Sequence, residues 1–286
     1  MARFVDRLRS GSWLTRERAR LVALAMLVAG LAGAVYVVVT ANGLSDRFGR
    51  PLGTDFSSFY AAGALVDDGL PAAPFDFATH YTREQKIFGT GTPDYSFSYP
   101  PTFLLVAAAL ALLNYLPALL LWQGATFGLY LWAMRAIFRG NEAARAESAG
   151  WMPLLLTAAF PAVFVNLGHG QNGFLTAGLF GMALAVLERR PVLAGILFGL
   201  LSYKPQFGVL IPLVLAASGR WRAFAAAAAT VALMTLAVTA AFGSEVWSAF
   251  FAFTKFTRIV VLEQGGTGWY KIQSVFSWVR MWGGGI

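Results

Sequence analysis

The sequence has no cysteine, only 2 histidines, and charged side chains at just 13% of its 286 residues. The absence of cysteine excludes disulfides, thiol nucleophiles and cysteine-ligated metals, and it is compatible with an active face outside the cytoplasm. The two histidines, His80 and His169, have no ligand-like spacing, so the sequence predicts no metal site. So few charged groups make an aqueous globular protein a poor fit.

Hydrophobic residues make up 57% of the chain and include 24 Phe and 9 Trp. The apolar runs are long and rich in Ala and Leu, and they do not alternate with polar residues. In hydrocarbon every backbone polar group needs a partner within its own segment, so these runs predict helices and not barrel strands. The sequence therefore predicts an all-α, polytopic integral membrane protein. The net charge of +8 is explained by basic residues at helix ends and short loops, and a nucleic-acid partner is not expected.

The N-terminal segment indicates the orientation of the chain. Residues 1–20 carry six Arg against Asp6 and Glu17, and the apolar run at 21–40 is long enough to span and has no convincing cleavage site. We therefore predict an uncleaved first helix with residues 1–20 in the cytoplasm. Residues 41–98, with seven acidic and four basic residues, then form the first extracytoplasmic loop.

The stretch GTDFSSFYAAG at residues 53–63 predicts a helix within this loop. One helical face carries Phe56, Phe59, Tyr60 and Gly63, so a helix from Asp55 to about Val66 is expected to lie in the membrane interface. For the remainder of the loop, prolines predict only turns and short extended pieces.

The later apolar segments are residues 101–114, 115–138, 151–167, 174–187, 191–217 and 223–242. The first of them reaches only about 21 Å and is expected to be re-entrant or embedded, whereas 115–138 and 151–167 are expected to span. The segment 191–217 is interrupted by KPQ at 204–206, which predicts a broken or tilted helix pair. With 243–270 as a second extracytoplasmic segment, residues 1–286 form one membrane domain. This topology predicts that the Asp55 loop, the GHGQN corner at 168–172, the Lys204 break and residues 243–270 meet at one face.

Five positions are candidates for chemistry, and each has a simpler structural role. Asp55 is either the N-cap of its helix or a general base, and both roles can hold together. His169, Gln171 and Asn172 either satisfy backbone groups at two helix ends or bind a sugar or phosphate.

Lys204 lies within an apolar run, where an ammonium group is costly unless it has a partner. It either snorkels to the interface or meets an anion such as a lipid phosphate. Asp94 is interpreted as a solvated loop residue.

A set of short motifs then resembles a known family. The motifs are GTDFSSFYAAG (53–63), FSYPP (97–101), GQN (170–172), KPQ (204–206) and IQS (272–274). In this order and spacing they resemble glycosyltransferase family 87, bacterial GT-C enzymes that include polyprenol-phosphate-mannose-dependent α-1,2-mannosyltransferases. The resemblance implies a GT-C-like helical bundle in the bacterial plasma membrane, with its active face extracytoplasmic.

The resemblance also implies the chemistry. Family members place an essential Asp at the start of the first outer loop, which is Asp55 here, and the donor is a hexose on a polyprenyl phosphate. The acceptor is expected to be a lipid or glycan, and no cofactor is predicted, with any need for a divalent metal left open. Taken with the residue chemistry above, the substrate-binding candidates are Tyr99, His169, Gln171, Asn172, Lys204, Gln206 and Gln273. Family members usually continue for several more membrane helices, so the chain is expected to lack C-terminal helices.

Two other functions remain compatible with the sequence. A transporter or flippase of a lipid-linked or anionic substrate would also use broken helices and a buried Lys, although no inverted repeat is seen. A non-catalytic membrane scaffold is the second alternative.

Overall fold

The computed structural model describes residues 9–140, 150–266, 268–272 and 274–285. Within those ranges the chain forms helices and no β-strand longer than an isolated bridge, which confirms the all-α prediction. The helices of the first half are α1 (Arg16–Val39), α2 (Thr54–Asp67), α3 (Phe77–Phe88), α4 (Leu104–Ala111), α5 (Tyr115–Gly140) and α6 (Met152–Ala158). Short 3-10 turns at Ala73–Phe75 and Pro101–Phe103 precede α3 and α4.

The second half continues in the same way. Its helices are α7 (Pro161–His169), α8 (Gly173–Val186), α9 (Pro191–Leu200), α10 (Phe207–Ala217), α11 (Trp221–Phe242), α12 (Glu245–Thr257) and α13 (Val275–Met281). A 3-10 turn at Leu201–Tyr203 extends α9, a π-helical turn at Arg258–Glu263 extends α12, and a 3-10 turn at Trp269–Lys271 precedes α13.

Two of these helices, α1 and α11, are long and apolar enough to cross a membrane. They expose large apolar side chains such as Val28 and Leu236, each with about 65% of its surface accessible, as a lipid-facing surface requires. Helix α5, which was predicted to span at 115–138, has the length to do so but is not among the helices apolar enough to qualify as a candidate span. Its Trp122 and Thr126 are buried within the protein.

The prediction that residues 151–167 form one continuous helix is wrong. It is divided into α6 and α7, which are bent by 49° relative to each other. The cause is Pro161, which has no N–H to donate and forces Phe160 into an extended conformation with ψ 130°. Together the two pieces would make a third candidate span.

The loop at 41–98 is more ordered than its prolines indicated. The predicted helix is confirmed as α2, but a second helix, α3, forms where only turns and extended pieces were expected. A local signal for α3 was present in the sequence, since Asp76 accepts a hydrogen bond from the backbone N–H of Thr79 at 2.9 Å. This is the N-cap arrangement that starts a helix.

Helix α2 lies against α4 at the centre of the folded core. A Cβ added to Gly63 would lie 2.1 Å from the carbonyl oxygen of Ala107, so the two helices approach more closely than any larger residue allows. On the same face of α2, Phe59 makes edge-to-face contacts with Tyr99 and Phe103 at centroid distances of 5.2 and 5.1 Å. Such aromatic contacts fix the orientation of α2.

The two predicted outer segments are in contact with each other. Phe75 of the first segment contacts Phe250 and Phe253 of α12 at centroid distances of 5.6 and 6.4 Å. Phe77 also contacts Phe256, at 5.7 Å. The contacts bring residues 243–270 to the same side of the protein as α2 and α3.

The break predicted in 191–217 is confirmed. Helix α9 and its 3-10 turn end at Tyr203, Lys204 is extended with φ −120° and ψ 90°, and α10 begins at Phe207. Pro205 follows directly, and the residue before a proline is disfavoured in the helical region. The backbone therefore leaves the helix at the position of the charged side chain.

Candidate functional site

The carboxylate of Asp55 lies in the first turn of α2. The N-cap of this helix is Gly53, with φ 69°, and Asp55 is the second helical residue. The prediction that Asp55 is the N-cap is therefore wrong, because the glycine two residues earlier adopts the left-handed conformation that starts the helix. The position places the carboxylate in the first turn of the helix, where the backbone carries partial positive charge.

Asp55 accepts a hydrogen bond from the α7–α8 corner. The Nε2 of Gln171 donates to the Oδ2 of Asp55 at 2.7 Å. The Oε1 of the same amide accepts from the backbone N–H of Asn172 at 2.7 Å and from the hydroxyl of Tyr99 at 3.1 Å. Because a backbone N–H can only donate, the amide oxygen must face Asn172, and the amide nitrogen must then face Asp55.

Burial and the nearby charge of Asp55 raise the pKa of Tyr99 to about 12. The phenol therefore stays protonated at neutral pH and remains the donor to Gln171. The carboxylate, the amide and the phenol thus form one hydrogen-bonded chain, which joins residues from three separate parts of the sequence.

The corner reaches α2 because of a glycine at its turn. Gly170 has φ 61°, and a Cβ on it would lie 2.6 Å from the Cβ of Phe56. Side chains of α5 satisfy the carbonyl groups of the corner: Trp122 donates to the oxygen of Gly170 at 2.9 Å, and Gln123 donates to that of Leu167 at 2.8 Å. These carbonyl groups therefore do not need the amide nitrogen of Gln171, which donates to Asp55 instead.

A polar cavity of about 840 Å³ opens beside this chain. Its lining includes Asp55, Tyr99, Gln171, Lys204, Gln206 and Tyr270. These residues come from the Asp55 loop, the corner, the α9–α10 break and the second outer segment, so the prediction that these four regions meet at one face is confirmed. The same cavity is lined by both Asp55 and Lys204.

Lys204 is half-buried in the wall of this cavity. Its ammonium group makes no hydrogen bond or ion pair with the residues that the structure describes. The neighbouring Tyr203 is held in place, since its hydroxyl is 2.8 Å from Thr176 Oγ1 and its ring stacks on Phe103 at 5.2 Å. The break is therefore fixed, and the ammonium group is available to an anion in the cavity.

The remaining predicted site residues have different positions. His169 does not line the cavity, and its Nδ1 lies 2.6 Å from the hydroxyl of Thr54, directly before Asp55. Asn172 is fully buried behind Gln171. Gln273 lies outside the described residues.

A second, apolar cavity of about 650 Å³ adjoins the first. It lies between the α9–α10 break and α11, where Phe198, Phe207, Ala228 and Val231 contribute to its wall. Pro205 borders both cavities. A polar cavity next to an apolar cavity suits the binding of an amphiphile whose headgroup is anionic.

Sequence analysis missed one group of titratable residues, on α3 and the loop after it. His80, Glu84 and Asp94 offer ligand atoms that all lie within 4.8 Å of one another. Burial lowers the pKa of His80 to about 4 and raises the pKa of Glu84 to about 8. The spacing of His80 and Glu84 at i and i+4 on a helix was the available signal, but α3 itself was not predicted.

Comparison with known proteins gives one match. The family model described as glycosyltransferase family 87 matches residues 97–285, which is 189 of the 286 residues. The match includes Tyr99, Gln171 and Lys204, and it begins after Asp55. Searches of curated proteins and of solved structures gave no match.

Proposed function

The chain belongs to glycosyltransferase family 87, and on that basis we propose that it transfers a hexose, such as mannose, from a polyprenyl phosphate to an extracytoplasmic acceptor. Membership implies a membrane glycosyltransferase with a sugar donor and an acceptor. The identity of the donor, the hexose and the base is our proposal. The observation that carries it is the position of Asp55 and Lys204 in the wall of one cavity.

Asp55 is proposed as the general base. A sugar phosphodiester needs one base to take the acceptor's proton, because the phosphate leaves without being protonated. The acceptor oxygen attacks the anomeric carbon from the face opposite the phosphate while its proton passes to Asp55. The bond between the anomeric carbon and the phosphate oxygen breaks, and the electron pair leaves with the polyprenyl phosphate.

Lys204 is proposed to stabilise the departing phosphate. The leaving group gains negative charge as the bond breaks, and a fixed cation at that position lowers the energy of the transition state. The proposal is supported by the position of Lys204 in the cavity wall without a protein partner among the described residues.

A lipid-linked donor is supported by the adjoining apolar cavity. A polyprenyl phosphate has an anionic head and a long hydrocarbon chain, and the two cavities offer these environments on either side of Pro205. Burying the chain in the apolar cavity would bring the phosphate next to Lys204. A nucleotide sugar has no comparable need for the apolar cavity.

The test is the transfer reaction itself. Membranes containing the chain are incubated with radiolabelled polyprenyl-phosphate mannose or glucose, and labelled lipids and glycans are separated from the donor. Asp55→Asn is expected to lower transfer by about 10²- to 10⁴-fold, the usual contribution of a general base. Asp67→Asn, which changes an exposed acid on the same helix, should leave transfer intact.

Three results would contradict the proposal. Unchanged turnover in Asp55→Asn would remove Asp55 as the base. Absence of any labelled product with the wild-type chain would contradict hexosyl transfer from this donor. Movement of intact donor across the membrane without a new product would favour a transporter or flippase.

A further inference from the structure

The geometry points to a divalent-metal site formed by His80 Nδ1, Glu84 and Asp94, a site separate from the Asp55–Lys204 pair. The ion best suited to it is Zn²⁺ or Mn²⁺. The inference rests on the contacts of these three side chains and does not depend on the proposed transferase reaction.

The imidazole of His80 is already in the state that a metal ligand needs. His80 is only 1% exposed, and its Nε2 lies 3.2 Å from the carbonyl oxygen of Ser58. A carbonyl oxygen only accepts, so Nε2 carries the hydrogen and Nδ1 keeps its lone pair. A histidine that ligates a metal generally donates its other N–H to a carbonyl or carboxylate in this way.

The free lone pair of His80 has no protein partner. Nδ1 makes no hydrogen bond with any group in the described part of the chain, although buried polar atoms are nearly always paired. Glu84 and Asp94 each offer a carboxylate oxygen within 4.8 Å of a ring nitrogen of His80 and of each other. An ion that binds all three would satisfy the lone pair and offset the negative charge of the two acids.

The two carboxylates are held differently. Glu84 is fully buried, and its Oε2 accepts from the backbone N–H of Tyr95 at 3.0 Å while its Oε1 accepts from Ser57 Oγ at 3.4 Å. Asp94 is exposed and accepts from Ser96 Oγ at 2.9 Å. Donors that share one first-row ion lie at most about 4.4 Å apart, since each is about 2.0–2.2 Å from the metal. The exposed Asp94 can rotate to meet this limit.

The donor set selects the class of ion. One imidazole nitrogen and two carboxylate oxygens suit Zn²⁺ and Mn²⁺ better than Mg²⁺ or Ca²⁺, which prefer oxygen ligands throughout. Three protein ligands also leave coordination positions open. Because Asp94 borders the polar cavity, these open positions would face the solvent in that cavity.

The site would connect three pieces of the first outer loop. His80 and Glu84 belong to α3, Asp94 belongs to the loop after it, and both α3 residues contact the backbone or hydroxyl groups of Ser57 and Ser58 on α2. Asp55 lies two residues before Ser57 on the same helix. The bound ion would therefore hold α3 and the Asp94 loop against the helix that carries the proposed base.

The test measures metal binding and not transfer. The purified chain in detergent is stripped with a chelator and titrated with Mn²⁺, and the free ion is followed by electron paramagnetic resonance, with Zn²⁺ as competitor. We expect one Mn²⁺ per chain, displaced by Zn²⁺. Asp94→Asn should weaken binding at least tenfold, and Glu84→Gln should abolish it.

The matched control is Asp67→Asn, an exposed acid of the first outer loop that lies outside the cluster; it should bind Mn²⁺ as the wild type does. If the wild-type chain takes up neither Mn²⁺ nor Zn²⁺ in stoichiometric amount, the inference is wrong. The charge of Glu84 would then be neutralised by a proton and not by an ion. Equal loss in Asp67→Asn and Asp94→Asn would also overturn it. Because this experiment measures metal binding and not transfer, its outcome is independent of the test of Asp55 as the general base.

Discussion

Gln171 donates a hydrogen bond from its Nε2 to the Oδ2 of Asp55 at 2.7 Å, although the two residues are 116 positions apart in the sequence. The hydrogen bond joins the α7–α8 corner to the first turn of α2. It fixes the position of one carboxylate oxygen. Its donor, Gln171, belongs to GQN, one of the motifs by which the sequence resembles the family.

Replacing Gln171 with Ala should lower transfer without unfolding the protein. A hydrogen bond to a charged group contributes about 1.5–3 kcal/mol, and each 1.36 kcal/mol of barrier is tenfold in rate, so a loss of about 10- to 100-fold is expected. The measurement is the rate of labelled product formation in membranes. Gln264→Ala, an exposed amide of the second outer segment, should keep the wild-type rate. An unchanged rate in Gln171→Ala would mean that the hydrogen bond does not position the base.

Replacing Lys204 with Ala should reduce turnover more than substrate binding. Removing one group that stabilises developing negative charge costs about 10²- to 10³-fold in kcat. Lys204→Arg keeps the charge and should retain part of the activity. The comparison is made on kcat and KM for the lipid-linked donor, with the exposed Lys255→Ala as control. A wild-type kcat in Lys204→Ala would show that no cation at this position is needed.

The apolar cavity gives a prediction about donor length. Ala228 lies in its wall on α11, and Ala228→Trp should fill part of the space that a polyprenyl chain would occupy. We expect KM to rise for a donor with a long chain and to change little for one with a short chain. Ala225→Trp, on the same helix but outside the cavity lining, is the control. An equal effect on both donor lengths would indicate that the chain binds elsewhere.

The close contact between α2 and α4 at Gly63 leads to a prediction about the stability of the fold. Because a Cβ at Gly63 would lie 2.1 Å from the carbonyl oxygen of Ala107, Gly63→Ala should push α2 away from α4 and cost about 1–3 kcal/mol. Gly128 is also helical but has nothing within 4 Å of its Cβ position, so Gly128→Ala should be neutral or slightly stabilising. Thermal unfolding in detergent measures both. If the two variants have equal melting temperatures, the helices can separate at little cost.

Much of the fold could be predicted from the sequence because it depends on local patterns. The apolar runs identified α1 and α11, and the KPQ sequence identified the break at Lys204, since the residue before a proline is disfavoured in the helical region. The local signals also had limits. The N-cap role offered for Asp55 belongs to Gly53, whose left-handed conformation no hydropathy pattern indicates, and Pro161 divides the apolar run at 151–167.

The sequence by itself determined that this chain is helical, apolar enough for a membrane, and marked by a carboxylate and an amine at two irregular positions. The topology inferred from the sequence also predicted that Asp55 and Lys204 meet at one face, but only the tertiary structure decided that Gln171 donates to Asp55 and that His80, Glu84 and Asp94 come together. The reason is physical: propensity and hydropathy act over a few neighbouring residues, whereas these contacts join distant segments. Such contacts exist only after the helices pack, and here they depend on the close approach that Gly170 and Gly63 permit.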